Sequence, residues 1–428
     1  MIPAGIAPTR PDLAGPTTGL FRNRNYTLYL AGSVASWAGL GVADVLLLWL
    51  VFSETGSTFA VAYVGLAEAI PPIVVGFVAG VLADRYDRRW LLVTTTLLQA
   101  ALIASVVLAW WAFGFRLLLT VVLVLGFETV TVLYRPPATA IVEGLVAADH
   151  LDGANAVVQA ATSVATTCGT AAAAVLLVVA GTGGSFGADV GVFALAALLM
   201  ASVGGRYAPS EPADGPPPTR SLRRDTAEVV RFLRDRPALV ELTIVSVAAG
   251  FFVTMFSPFL VVYTVDDLHA PASTFGVLLA GYSAGFFVGS LRAPHVGIVR
   301  YYGRFFVLAL VACGGLLAVL VVWPAFVVVL VALTLFGTLL GFVVTGFFNL
   351  ILRLVPSGLL GRYFGLEEML TWAVAPLGIV TGGVLTQAFG VTVGFGVAAV
   401  GLVAVGAIAL LSRRIRSIRY VPTSPVEP

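Results

Sequence analysis

A chain holding about twelve separate apolar runs of roughly 20 residues or more has few ways to fold, because each run is long enough for one helix to cross a bilayer. The runs lie near 27–53, 59–83, 90–113, 117–141, 154–180, 187–207, 238–264, 273–292, 304–323, 325–352, 364–388 and 390–411. A backbone facing lipid must satisfy its hydrogen bonds within its own segment, and a spanning barrel would show shorter strands alternating with period two. No such alternation occurs. The sequence therefore predicts an all-α membrane protein of twelve transmembrane helices, with the lipid bilayer as its solvent. The composition agrees: 59% of the 428 residues are hydrophobic and only 11% charged, which is more apolar surface than a water-soluble core can hide.

The few charges are placed unevenly. All 24 basic residues are arginine, and with the N-terminus inside, every one except Arg116 and Arg135 falls on the cytoplasmic side of the predicted spans. The positive-inside rule then predicts an even number of spans and two cytoplasmic termini, in the cell (plasma) membrane. The opening MIPAGIAPTRPDLAGPTTGL has no charged start leading into an apolar core, so the first span is expected to direct insertion without a cleaved signal. A net charge of +2 gives no reason to expect a nucleic-acid partner. Cys168 and Cys313 sit inside apolar runs and read as packing residues, and His150, His269 and His295 lie in separate loops without metal-ligand spacing. No phosphate-binding GxxxxGK[ST] loop is present; neither an enzyme, a cofactor nor a metal is expected.

One break interrupts the spans. Residues 208–237 begin with the proline-rich PSEPADGPPPT and continue into SLRRDTAEVVRFLRDR, where Leu222, Ala227, Val230 and Leu233 recur at near-helical spacing. The predicted organisation is an N-terminal six-helix half at 1–207, a cytoplasmic linker with an amphipathic helix at 208–236, and a C-terminal six-helix half with its tail at 237–428. The halves echo each other: LFRNRN at Leu20 matches FLRDRP at Phe232, GVL at Gly80 matches GSL at Gly289, and LVAADHL at Leu145 matches LVPSGLL at Leu354, at offsets of 212, 209 and 209. A duplicated unit of this kind is a mark of secondary transporters.

Between the second and third spans stands GVLADRYDRR, Gly80 to Arg89, a dense charge cluster in a chain that has few. Gly80, Leu82, Ala83, Asp84, Arg85, Arg88 and Arg89 match the loop signature of the major facilitator superfamily, with Asp87 where a glycine is common. Together with FRNRNY before the first span, PPATAIVEGLV at the end of the fourth, and GLEEML leading into APLG, the chain resembles the drug:proton antiporter branch that holds macrolide efflux proteins and the enterobactin exporter. The resemblance implies the major facilitator fold of two pseudo-symmetric halves, alternating access, and a monomer. It also implies a gate: Asp84 set against the start of span eleven at 361–366, where a helix N-terminus favours an anion, and Glu143 meeting Arg85 or Arg88. The orientation rule alone accounts for Arg89. In span five SVATTCGTAAAA keeps only Gly169 where the antiporter signature would place a glycine-proline pair.

Three acids and one arginine lie deep in spans: Asp44 on a stripe with Ser33, Trp37 and Gly41; Glu68 one turn before Pro71 and Pro72; and Glu128 on a face with Thr131 and Arg135. An ionisable group at that depth costs about 2.5–3.5 kcal/mol on insertion scales, so these residues are the candidates for binding protons as a partner ion. A simple neutralisation of Arg135 by Glu128 is the competing expectation, over two helical turns. Glu241, Glu367 and Glu368 lie near span ends, where snorkelling suffices. For the substrate, Trp37 in span one and the stripe of Phe252, Met255, Phe256 and Phe259 in span seven are cavity candidates, with Phe342, Phe347 and Phe348 in span ten; packing against neighbouring helices is the alternative for each stripe. The function expected is proton-coupled export of small amphipathic, drug-like molecules. A uniporter or importer of a metabolite, and a membrane receptor or assembly protein on the same fold, remain as alternatives.

Overall fold

The computed structural model describes residues 17–207, 231–234, 236–293, 302–355 and 357–417. The predicted linker, most of its amphipathic helix, and the segment around Arg300 lie outside the described residues. Span one is Arg24–Thr55, span two Thr58–Ala83, span three Arg88–Phe113 and span four Leu117–Ala140. Spans five and six form one run, Leu151–Ala201. Span seven is Pro237–Phe256 carried on by short turns to Asp266, and spans eight to twelve are Ala272–Arg292, Tyr302–Val322, Phe326–Leu354, Ser357–Phe389 and Val391–Leu411. Among the described residues eleven helices are long and apolar enough to cross a membrane.

The eleventh-to-twelfth difference is settled at Gly181. The Leu151–Ala201 run has 51 residues, about 76 Å at 1.5 Å per residue, far beyond one crossing of a roughly 30 Å core. Gly181 adopts φ 65° and ψ −179°, a conformation open to glycine and strained for other residues, and it breaks the run into two spans. Where the sequence suggests a loop at 181–186, helix resumes at once.

Within the N-terminal half, span one packs along spans five and six, span two along span four, and span three along spans four and six. The C-terminal half pairs span seven with eleven and twelve, eight with ten, and nine with twelve. Among the described residues two long seams join the halves, span two with span eleven and span five with span eight. Both seams are tight at the end of the bundle away from the Gly80–Arg89 loop. A Cβ built on Gly276 would lie 2.4 Å from the Cβ of Ala174, one on Gly65 3.3 Å from Ile379, and one on Gly383 3.1 Å from Ala62. Toward the loop end, spans five, eight and ten part around a cavity of about 940 Å³. The bundle is thus closed at its far end and open at its loop end.

Candidate functional site

The loop motif divides into residues that brace one half and a residue, Asp84, without a partner among the described residues. Asp87 is the N-cap of span three: one carboxylate oxygen accepts from the backbone N–H groups of Arg89 at 3.0 Å and Trp90 at 3.2 Å, and the other accepts from that of Tyr207 at 2.9 Å. Arg88 donates to the Ala140 carbonyl at 2.6 Å and lies 3.6 Å from the Glu143 carboxylate; Arg89 donates to the carbonyls of Gly205 and Ala201. These bonds tie the start of span three to the ends of spans four and six. The FRNRNY segment extends the brace. Asn23 caps span one and donates to the Leu145 carbonyl at 2.6 Å, while Asn25 exchanges hydrogen bonds with Gly204 and Tyr26 donates to the Ala154 carbonyl at 3.0 Å.

The expected partner of Glu143 is thus Arg88 and not Arg85, which is exposed. Asp84 is exposed as well, and its carboxylate makes no hydrogen bond or ion pair among the described residues. Asp84 thus makes no bond to the start of span eleven expected as its seat. Asp87, a departure from the motif, makes more bonds than any of the expected residues; its signal was the acid directly before a helix start. Asp87→Ala is expected to lower stability by about 1–2 kcal/mol in a thermal unfolding series, because three backbone donors lose their acceptor. Glu143→Gln, on a carboxylate that is 64% exposed, is expected to cost less than about 1 kcal/mol.

In the interior of the N-terminal half the structure gathers the charges that the sequence scatters. Asp44, Glu68, Glu128 and Arg135 act on one another electrostatically: Asp44 and Glu128 both feel the Arg135 guanidinium, and Glu68 feels both other acids. Direct neutralisation does not occur, since Arg135 makes no ion pair with Glu128 or with any other acid among the described residues. Its guanidinium lies 5.8 Å over the Trp37 ring, so Trp37 shapes this charge cluster. One carboxylate oxygen of Glu68 is buried with no hydrogen-bond partner.

Sequence reasoning missed a fourth acid. Asp189 in span six is fully buried, neither of its oxygens has a hydrogen-bond partner, and it interacts with Asp44 across the seam of spans one and six. One oxygen lies 3.2 Å from where a Cβ on Gly39 would stand. Four carboxyl groups and one guanidinium therefore lie inside this half, Asp189 fully buried and Asp44, Glu68, Glu128 and Arg135 half-buried. They do not converge as a metal site; no group of three or more ligand-type side chains gathers among the described residues.

The substrate candidates separate. Met255 and Phe256 are buried, and the Phe256 ring packs edge-on against Phe336 at 5.4 Å and Phe395 at 5.6 Å, so the end of the span-seven stripe is core of the C-terminal half and not cavity wall. Phe259 is buried with them. Their apolar faces are needed there because spans seven, ten and twelve meet at that level. Phe252 lines an apolar cleft of about 380 Å³ between spans seven and eleven. The cavity at the loop end is lined instead by span five, span eight and the end of span ten, including Phe348. Glu241 does not snorkel alone: it accepts from Ser412 at 2.5 Å and pairs with Arg414 at 2.9 Å, pinning the short helix Arg413–Ser417.

Two six-span halves that touch along spans two with eleven and five with eight form a recognisable architecture, and the family comparison decides its name. The model of the Major Facilitator Superfamily matches residues 29–377. The chain belongs to this superfamily. Among relatives of this facilitator, the multidrug efflux pump Tap of Mycolicibacterium fortuitum is 25% identical over 402 residues, covering 91% of this chain and 96% of the relative. Tap of Mycobacterium tuberculosis is 24% identical over 415 residues, with 94% and 96% covered. The uncharacterised MFS-type transporter YfiS of Bacillus subtilis is 24% identical over 414 residues, with 94% and 97% covered. Of solved facilitator structures, the nucleoside transporter NupG superposes with a TM-score of 0.73 at 12% identity, over 90% of this chain and 99% of that one. A bacterial homologue of the human lysosomal transporter Spinster, in an inward-facing and unoccupied conformation, gives 0.69 at 14% identity, over 94% and 99%. The protein is a multi-pass membrane transporter of small molecules and not an enzyme.

Proposed function

We propose that this facilitator exports small amphipathic molecules in exchange for protons. The observation that carries the proposal is the excess of acid inside the N-terminal half: Asp44, Glu68, Glu128 and Asp189 lie on its spans, with buried carboxylate oxygens on Glu68 and Asp189 that have no partner, while Arg135 acts on Asp44 and Glu128 alone. With all four carboxylates ionised the group would hold three uncompensated negative charges at half-buried or fully buried positions within the spans, which is unfavourable. Bound protons relieve this, and their release on a change of conformation is what coupling requires. The efflux direction is supported by the relatives named multidrug efflux pumps.

On this reading the Gly80–Arg89 loop and both termini face the cytoplasm of the cell membrane, and the protein works as a monomer. Residues 1–207 and 237–428 are the two rocking halves, joined by 208–236. The structure, open at its loop end, is then the state that loads substrate from the inside. Asp84 is free in this state and engages the start of span eleven when the loop end closes. Reconstitution into liposomes with an imposed pH gradient tests the proposal: movement of a panel of amphipathic substrates should be accompanied by opposite proton movement. Transport without any proton movement would sink it. In the same assay Asp84→Asn is expected to slow turnover about tenfold or more while leaving substrate affinity within about twofold, the loss expected when an interaction formed only in the closing step disappears.

A further inference from the structure

We infer that the loop-end cavity between spans five, eight and ten binds an uncharged, ring-bearing molecule that both donates and accepts hydrogen bonds, at a place separate from the carboxyl cluster. The inference rests on the export reading for its role and on the cavity alone for its chemistry. None of the residues lining this space of about 940 Å³ is charged, and none of Asp44, Glu68, Glu128, Asp189 or Arg135 is among them. The carboxyl groups lie on spans one, two, four and six, whereas the cavity wall is made by spans five, eight and ten. A cation entering here would shed water without meeting a counter-charge, so the site selects against it.

The polar groups that remain both donate and accept hydrogen bonds. The hydroxyls of Ser163, Thr166 and Thr167 are already spent on carbonyls one turn back in span five. By contrast the amides of Gln159 and Asn349, the phenol of Tyr282 and the hydroxyls of Ser283 and Thr345 line the cavity and make no hydrogen bond to protein among the described residues, and Ser290 donates to the Gly341 carbonyl. Each amide offers a carbonyl acceptor and two N–H donors, so a ligand that carries only one of these functions leaves the other unmet. The apolar part of the wall supplies flat surfaces. Phe348 is held as a platform by stacking on Phe364 with ring centres 4.8 Å apart, and Phe286 lies 6.5 Å from the Tyr282 ring. An uncharged ring with amide or hydroxyl substituents fits both features. Because such a substrate brings no charge, each proton exchanged moves one net charge, and the membrane potential drives export together with the pH difference.

The separation also fixes how proton and substrate influence each other. If they shared a carboxylate, acidification would lower substrate affinity about tenfold per pH unit without limit. Linked through conformation from separate places, the effect must level off at the ratio of affinities of the two conformations.

The test uses the purified full-length chain and two probes of similar size: chloramphenicol, uncharged with one ring, an amide and two hydroxyls, and ethidium, a permanent planar cation. Binding is followed by titration calorimetry from mildly acidic to mildly alkaline buffer. Chloramphenicol is expected to bind about tenfold or more tightly than ethidium, with an affinity that levels off at the acidic end. Asn349→Leu and Gln159→Leu are each expected to weaken it about three- to tenfold, the loss of one or two hydrogen bonds. Asn349→Asp is expected to reverse the preference toward ethidium, a gain that misfolding does not produce, and size-exclusion profiles check every variant. Ethidium binding as tightly as chloramphenicol to the unaltered chain, no chloramphenicol binding, or an affinity that keeps falling with acidity and is restored by Asp44→Asn would overturn the inference. Chloramphenicol binding of the expected kind without proton movement in liposomes would instead sink the export reading and leave the site in place.

Discussion

Asp44→Asn or Glu128→Gln is expected to abolish substrate accumulation driven by a pH gradient while exchange of substrate down its own gradient continues. Both side chains feel the charge of the same guanidinium, Arg135, and Glu128 also feels Asp44, so removing either acid changes how many protons the group must hold. The driving force at stake is large: about 2.3 kcal/mol per charge per 100 mV together with about 1.4 kcal/mol per pH unit sustains a more than hundredfold gradient of a neutral solute per proton. A variant that cannot release its proton carries the substrate without access to that energy, so accumulation should fall to the equilibrium level. Proteoliposomes loaded at one pH and diluted into another measure both activities on one preparation. Full accumulation by both single variants would show that the cluster is structural. Asp189→Asn separates the roles within the cluster: because its oxygens have no hydrogen-bond partner, the amide is expected to leave the fold intact and to shift the pH at which accumulation is half-maximal.

Gly169→Val is expected to prevent assembly of the N-terminal half. A Cβ at this position would stand 2.0 Å from the Ala38 carbonyl oxygen, and one on Gly41 2.3 Å from that of Thr166, so spans one and five touch backbone to backbone. No flexible side chain is there to yield. Relief requires the two helices to part, which moves Asp44 away from its neighbours and opens voids along the whole seam. A loss of about 3 kcal/mol or more is expected, read as disappearance of the monodisperse species and a lowered unfolding temperature in detergent. Gly76→Val is the control, since a Cβ there meets nothing within 4 Å, and it should change stability by less than about 1 kcal/mol. Equal tolerance of the two substitutions would contradict the close approach. The glycine that stands where the antiporter signature has a glycine-proline pair thus keeps one part of that signature, the close packing.

The charged residues show how much of the site a one-dimensional reading reaches. Asp44, Glu68, Glu128 and Arg135 stand out in the sequence because each interrupts an apolar run, and the cost of placing a charge there is a local property. Asp189 interrupts a run just as they do, yet it stands two residues inside the start expected for span six, where an acid can reach the membrane surface. Because helix resumes directly after Gly181, Asp189 is eight residues in, about 12 Å deep, and fully buried. A single glycine conformation decides its environment. The end of the aromatic stripe of span seven was ambiguous for the opposite reason. Helical spacing shows that Met255 and Phe256 share a face, but an apolar face is equally suited to a cavity and to a core, and only the arrival of Phe336 and Phe395 selects the core.

By itself the sequence determined the number of crossings, the helical class, the six-plus-six division of the spans, and the motif that marks the superfamily, since each follows from the length of apolar runs and from residues adjacent in the chain. The tertiary structure decided that Arg88 and not Arg85 meets Glu143, that Asp87 braces the loop, that Asp189 joins the acids, and that the uncharged cavity is walled by spans five, eight and ten. Those facts depend on which helices become neighbours. In a bilayer the apolar faces of twelve helices are nearly interchangeable to lipid, so neighbours are chosen by close backbone approach at a few glycines and by the need to bury each charge beside another.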